Sequence, residues 1–260
     1  MVVFAGQGDG RRSMGLLWRA GGRGRGVGLD AIVDAAVELA DAQGVGAISV
    51  QAVGERLGWS ASVVREQVGG ASELVDLAYD GVLGELPTDY ASQDGWRAEL
   101  TCWAEDLWAF QLRHPWVLEV SQARPVLGPG EYRALETVAR ILHGTGVPAG
   151  VLRRAVGVLF QFVRGMAQAV AESRRAATAT GVSDEQWWPT RSALLAEFAP
   201  DFAERFPMLT LLERERGPQP EEQDAASYLE QEAAETFAVG LTLLLDGIEA
   251  AIPGQAGATR

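Results

Sequence analysis

Lysine is missing altogether from this 260-residue chain, cysteine occurs once and histidine only twice. The single Cys102 cannot close an internal disulfide, so a disulfide scaffold is excluded and a reducing compartment is expected. With no CxxC pair, and with His114 and His143 as the only histidines, no metal site is expected, and no cofactor either. No run of about 18 uncharged apolar residues occurs, which excludes a membrane-spanning helix. The opening residues, Met1 to Asp9, lack a basic stretch leading into a long apolar one. They do not read as a secretory signal, and the chain is expected in the cytoplasm. Period-2 runs of β-branched residues are essentially absent, which leaves little room for a sheet.

What is present is ample apolar material. Hydrophobic residues make up 47% of the chain and tryptophan alone occurs eight times, enough for a packed core and against global disorder. The formal charge is −13, unevenly spread. Before residue 30, five arginines (Arg11, Arg12, Arg19, Arg23, Arg25) face only Asp9; from 30 to 86, Arg56 and Arg65 face ten acids.

Residues 1–28 hold nine glycines and no sustained periodicity, so they read as a flexible Arg/Gly-rich arm, either solubilising or able to lie in a DNA minor groove. The run Gly22-Arg-Gly-Arg-Gly-Val-Gly28 lacks both the preceding strand and the GxGxxG spacing of a dinucleotide loop. From Leu29 apolar residues recur at three- and four-residue steps up to Ala40, and Gly44 offers a stop. Ser49 caps a short helix Val50–Leu57, Gly58-Trp59-Ser60 forms a turn, and Ser60 caps a second short helix over about 61–67. A longer amphipathic helix follows to Leu86. Beyond Pro87, helices are expected near 96–113, 115–123, 131–144, 148–179, 183–199 and 225–251, with a Pro- and acid-rich loop at 217–224. The fold class is therefore all-α: a helix-turn-helix unit of three helices at 29–86 and a larger helical bundle at 87–260.

Two capped short helices around a glycine-containing three-residue turn are the geometry with which a second helix enters a DNA major groove. Ser60, Ala61 and Ser62 are small enough for close approach to base edges. Ser49, Gln51, Arg65 and Gln67 complete the candidate DNA contacts. The same pair of helices also occurs as plain bundle architecture.

At these residues the chain resembles the TetR-type regulators. The likeness runs through Ile32-Val-Asp-Ala-Ala36, Leu39-Ala-Asp41, Gly44, Ile48-Ser-Val50, Leu57-Gly58, Ser60-Ala61 and Glu73-Leu74. It continues through His114-Pro-Trp-Val-Leu-Glu-Val120, Arg124-Pro, Leu127-Gly-Pro129, Val182 to Trp188 and Leu244 to Ile248. The resemblance implies a homodimer joined by its last two long helices, and a buried effector pocket whose occupancy changes the spacing of two reading heads. The chain departs from the pattern where that family carries cations or phenols: here stand Gln51, Ala52, Arg65, Gln67 and Ala71. Fewer phosphate contacts and an acidic head weaken DNA binding.

In the larger unit, Trp103, Leu107 and Phe110 share one helical face. Phe160, Val163 and Ala167 share another, with Phe162 and Met166 alongside. Such stripes are core by default; as pocket walls, extended by Trp116, Trp187 and Trp188, they suit a hydrophobic or aromatic small molecule. His114, Glu119, Arg124, Glu131 and Arg164 are the polar candidates to orient it, and Gln161 and Gln168 are able to turn inward. Phe237, Leu241, Leu244, Leu245 and Ile248 form an apolar stripe for dimerisation, with Val151, Ala155, Val158 and Leu159 opposing.

Two functions stay open on this reading. One is a ligand-responsive transcriptional regulator, a repressor, that binds duplex DNA through a weakly basic head. The other is a protein that no longer reads DNA and uses its pocket to sequester a metabolite or catalyse a proton-transfer cyclisation or isomerisation. In that case His114 would shuttle the proton while Glu119 or Arg164 stabilised charge. Cys102 and His114, about 18 Å apart along one helix, exclude a nucleophilic dyad.

Overall fold

The computed structural model describes residues 3–20, 27–92, 94–215 and 225–253. Apart from two short strands, all regular elements among its described residues are helices, so the chain is all-α. Strand β1 (Val3–Phe4) leads into α1 (Gly10–Ala20), α2 (Val27–Gln43), α3 (Val50–Leu57), α4 (Ala61–Val68), α5 (Ala71–Leu83) and α6 (Trp96–Arg113). A 3-10 turn at Pro115–Glu119 and strand β2 (Val120–Ser121) precede α7 (Pro129–His143), α8 (Ala149–Thr180), α9 (Asp184–Phe198), α10 (Phe202–Arg205), α11 (Pro207–Glu215) and α12 (Ala225–Ala250).

Two compact units result, residues 1–168 with 239–260 and residues 169–238. The core of the first is carried by Ile32, Ala36 and Ala40 of α2, Leu74, Leu77 and Ala78 of α5, and Leu100, Trp103 and Leu107 of α6. These are the helical spacings seen in the sequence, and α2, α5, α6 and α7 pack through them. In the second unit Arg174 of α8 pairs with Glu230 of α12 at 2.7 and 3.0 Å. There α9 to α11 leave large apolar groups exposed, Phe198 by 78% and Met208 by 65%. Helices α10 and α11 were missing from the sequence reading.

The largest departure lies at the N-terminus. The expected arm over 1–28 does not describe residues 3–20, which form β1 and α1; residues 21–26, with Arg23, Arg25 and most of the glycine run, lie outside the described residues, as does the proposed loop at 217–224. β1 pairs in parallel with β2, Val3 opposite Val120 and Phe4 opposite Ser121. Helix α1 packs on α5. The glycines hid this: Asp9 caps α1 by accepting from the Arg12 N–H at 2.8 Å, Leu17 and Ala5 are buried, and the segment is further held by hydrogen bonds to distant carboxylates. Ser13 Oγ donates to Asp76 at 2.9 Å, the Gly6 N–H donates to the same carboxylate at 3.0 Å, and the Asp9 N–H donates to Glu73 at 3.0 Å. The wrapping is close: a Cβ on Gly8 would stand 2.1 Å from Glu73 Oε1 and would displace that carboxylate from its contact with the Asp9 N–H.

Candidate functional site

The helix-turn-helix forms from the residues expected to form it. Ser49 Oγ accepts from the Ala52 N–H at 3.1 Å and starts α3. Gly58, at φ 70°, makes the left-handed exit, and Ser60 Oγ accepts from the Val63 N–H to start α4. Gly54 lets the helices close, since a Cβ there would lie 2.8 Å from the Trp59 carbonyl oxygen. The capping role consumes Ser49, which is half-buried, and Ala61 is half-buried too, while Gln51, Ser60, Ser62, Arg65 and Gln67 are exposed along the motif. The Gln51 amide donates to Glu55 at 2.7 Å, and the Ser60 and Ser62 hydroxyls bond each other at 2.9 Å.

Behind this head lies a cavity of about 230 Å³, walled by Leu83 of α5, Leu107 and Phe110 of α6, Ala134 and Leu135 of α7 and Phe160 of α8. A dry engineered cavity of about 150 Å³ already takes a benzene ring, so this one has room for an aromatic ring. Polar side chains line it at several points: Tyr79, Gln111, Gln122, Glu131, Gln161 and Arg164. Gln161 donates to Gln122 at 2.7 Å, and Gln122 in turn hydrogen-bonds Tyr79. Burial pushes the Tyr79 hydroxyl above its ordinary value of 10, and neighbouring Glu131 adds to the rise. Burial likewise raises the Glu131 carboxyl, against the lowering effect of the Leu127 N–H bonded to it. Arg164, its charge disfavoured by burial, donates to the carbonyls of Val117 (3.3 Å), Leu118 and Val120 (3.1 Å). Gln111 is buried, and its Oε1 is left without a hydrogen-bond partner. A buried acceptor without a donor is costly, so the wall offers a position for a ligand O–H or N–H.

Head and cavity wall meet at a junction of two buried rings and two exposed carboxylates. Asp41 Oδ1 of α2 accepts from Trp116 Nε1 at 2.8 Å and lies 2.7 Å from His114 Nδ1; on its other side the ring contacts Glu85 at 3.3 Å. This is where His114 and Trp116 are employed, and neither lines the cavity.

Of the residues expected around a ligand, the structure brings Leu107, Phe110, Phe160 and Arg164 together at the cavity, with Glu131 and Gln161. Trp103 stands behind, edge-on to Phe160 with centroids 4.9 Å apart. Arg124 is exposed, Met166 is half-buried elsewhere on α8, and Gln168 is exposed. Trp187 and Trp188 belong to the other compact unit and are exposed, packed edge-on at 4.8 Å. Tyr79, Gln111 and Gln122 were missed. The signal for Gln111 was its place four residues after Leu107 on the same face. Tyr79 was hidden because α5 was assigned wholly to the head, whereas it also packs on α7.

The Tetracyclin repressor-like C-terminal domain matches residues 90–252. The HTH-type transcriptional repressor DrrR1 of Streptomyces coeruleorubidus is 31% identical over 261 residues, covering 97% of this chain and 90% of that protein. The chain belongs to the TetR family. Among solved TetR structures, the regulator SCO7222 of Streptomyces coelicolor is 25% identical with a TM-score of 0.63, covering 86% of this chain and 98% of its own. ActR of the same organism, in complex with actinorhodin, shares the fold at 22% identity and TM-score 0.65, over 87% of this chain and 97% of its own. The protein is thus a TetR-type transcriptional regulator, and the alternative of a protein turned to proton-transfer chemistry is not favoured. His114, Glu119 and Arg164, the trio that reading needed, do not converge: Arg164 alone lines the cavity, His114 serves the junction, and Glu119 lies beside Gly44.

Proposed function

We propose that the protein is a cytoplasmic, homodimeric repressor whose cavity binds an aromatic effector carrying hydroxyl groups. The functional division we adopt puts the reading head at 29–86 and effector binding and dimerisation at 87–260. The observation that carries the proposal is the cavity wall, which combines the aromatic faces of Phe110 and Phe160 with the unmatched acceptor of Gln111 and the buried Tyr79 and Glu131 groups. An apolar ligand with hydroxyls answers both features; a charged, strongly hydrated one answers neither. Actinorhodin, the ligand in the ActR structure, is a suitable probe.

Dimerisation is assigned to a groove between α8 and α12. The expected stripe mostly faces inward: Leu241, Leu245 and Ile248 are buried within the chain. The outward face consists of Val239 (62% exposed) and Leu243 (66%) on α12, with Val151 and Val158 on α8. Apolar groups at this exposure call for a covering surface, and a two-fold copy of the same helix pair supplies one.

Arg65 and Gln67 of α4 and Gln51 of α3 are the base or phosphate contacts of the head. The deciding experiment is fluorescence anisotropy of the full-length protein on DNA flanking its own coding region, at two salt concentrations. Specific binding that weakens with salt, with a slope reduced by about one per contact in Arg65→Ala, supports the repressor. Release by actinorhodin, with affinity reduced about tenfold in Gln111→Leu, supports the cavity as effector site. No binding at low salt sinks the DNA-reading half. Binding that actinorhodin never perturbs removes that effector class.

A further inference from the structure

Residues 3–20 touch both ends of the regulator at once. At the head, Arg12 Nη2 of α1 donates to the carbonyls of Arg65 (3.3 Å) and Glu66 (2.8 Å) in the last turn of α4. The Arg65 carbonyl also accepts from the Gly69 N–H at 2.8 Å, and a cation beside the last-turn carbonyls complements the helix dipole. The C-terminus of the recognition helix is thus held by a residue of another helix, more than fifty positions away in sequence.

At the cavity, two contacts run to the same segment. Trp18 Nε1 of α1 donates to the Leu127 carbonyl at 3.1 Å, and its ring packs against Tyr132 with centroids 6.0 Å apart. Leu127 sits at φ 60°, a left-handed conformation unfavourable for leucine, and its N–H donates to Glu131 at 2.8 Å. Glu131 lines the cavity. Separately, β1 pairs with β2 at Val120, whose carbonyl accepts from Arg164, also a cavity residue. Between these ends, the buried Glu73 and Asp76 of α5 hold the segment through Asp9, Gly6 and Ser13.

We infer that residues 3–20 form a tie that passes changes in the cavity wall, entering through Glu131–Leu127–Trp18 and Arg164–Val120–Val3, to the C-terminus of α4 through Arg12. A ligand that draws Glu131 or Arg164 toward itself pulls on the carbonyl or strand that the segment grips. The segment is held along α5, so it moves as one piece and carries Arg12 with it. Arg12 and Trp18 are positioning residues in this scheme; neither lines the cavity. The inference rests on the proposed roles of cavity and α4, but its mechanical content does not depend on either ligand.

The test is hydrogen exchange on the full-length protein without DNA or effector, so its failure is separate from failure of the proposed function. Glu131→Ala perturbs the wall. It is expected to speed exchange of the α4 amides at 65–68 by at least threefold in the wild-type background, and to have no further effect when Arg12 is replaced by alanine. Arg12→Lys, which keeps a cationic donor, is expected to restore the response. Trp18→Phe, at an exposed side chain, keeps the ring but loses the donor; it serves as a second entry point and should reproduce the α4 response even if Glu131→Ala does not fold. An α4 that ignores both wall-side variants, or responds equally with and without the Arg12 guanidinium, overturns the tie.

Discussion

Asp41 is the residue whose removal should separate head from cavity most cleanly. Its Oδ1 faces two ring nitrogens, Trp116 Nε1 at 2.8 Å and His114 Nδ1 at 2.7 Å, and both rings are buried. In Asp41→Ala the indole N–H loses its acceptor outright, at a cost of about 1–3 kcal/mol, and the imidazole loses its shorter contact while keeping Arg113 and Glu85. Some of this is returned, because Asp41 lies in the last turn of α2, where a carboxylate opposes the helix dipole by about 0.5 kcal/mol. The net loss is about 0.5–2.5 kcal/mol, a fall in melting temperature of about 1–10 °C for a domain of this size. Asp41→Asn keeps one acceptor oxygen in place and should lose about 1 kcal/mol. Urea denaturation followed by tryptophan fluorescence gives both values. Equal losses in the two variants, or less than about 0.5 kcal/mol for alanine, would refute the assignment of Asp41 as the shared acceptor.

Gly54→Ala forces a Cβ to within 2.8 Å of the Trp59 carbonyl, so the helix-turn-helix must open at about 1–3 kcal/mol; anisotropy should show DNA affinity falling at least tenfold while the proposed effector binding at the cavity is unchanged. Arg164→Met fills similar space but strands the carbonyls of Val117, Leu118 and Val120, which should cost about 2–4 kcal/mol in urea denaturation. The Asp76 carboxyl is raised by burial, with Gly6 and Ser13 opposing and Glu73 adding. A raised acid binds its proton more tightly in the native state, so its contribution is complete below the ordinary aspartate value of 3.8 and is lost as pH rises through the raised one. Asp76→Asn should therefore gain stability relative to wild type between pH 3.5 and pH 7, read as the difference in urea midpoints; a flat difference contradicts the raised carboxyl. Leu243→Glu places a charge at the outward face of α12 and should convert the dimer to monomer in sedimentation velocity.

The helix-turn-helix was readable to within a residue because its punctuation is local: two serine caps and a left-handed glycine act within four positions. The cavity was half readable. Leu107, Phe110 and Phe160 follow from helical periodicity and Arg164 from its polar chemistry, but periodicity cannot distinguish a wall from the layer behind it, so Trp103 was placed with them and Tyr79 was not. His114 and Trp116 showed the right chemistry for a buried site; the partner that employs them, Asp41, lies more than seventy residues away. The N-terminal segment was misread for the same reason at greater scale. Its local signals, the Asp9 cap on α1 and the apolar Leu17, stand among glycines that mask them, and its long-range ties run to two carboxylates on α5.

That dependence is mutual, and it bears on descent. Glu73 and Asp76 are 6% and 2% exposed, and the N-terminal segment donates N–H and O–H groups to both. A relative without a counterpart of residues 3–20 would leave both acids without these donors, and one with the segment but without the acids would lose its ties to α5. Positions 73 and 76 and the extension should therefore be inherited or lost together, leaving relatives that begin near residue 27 with small or apolar side chains there.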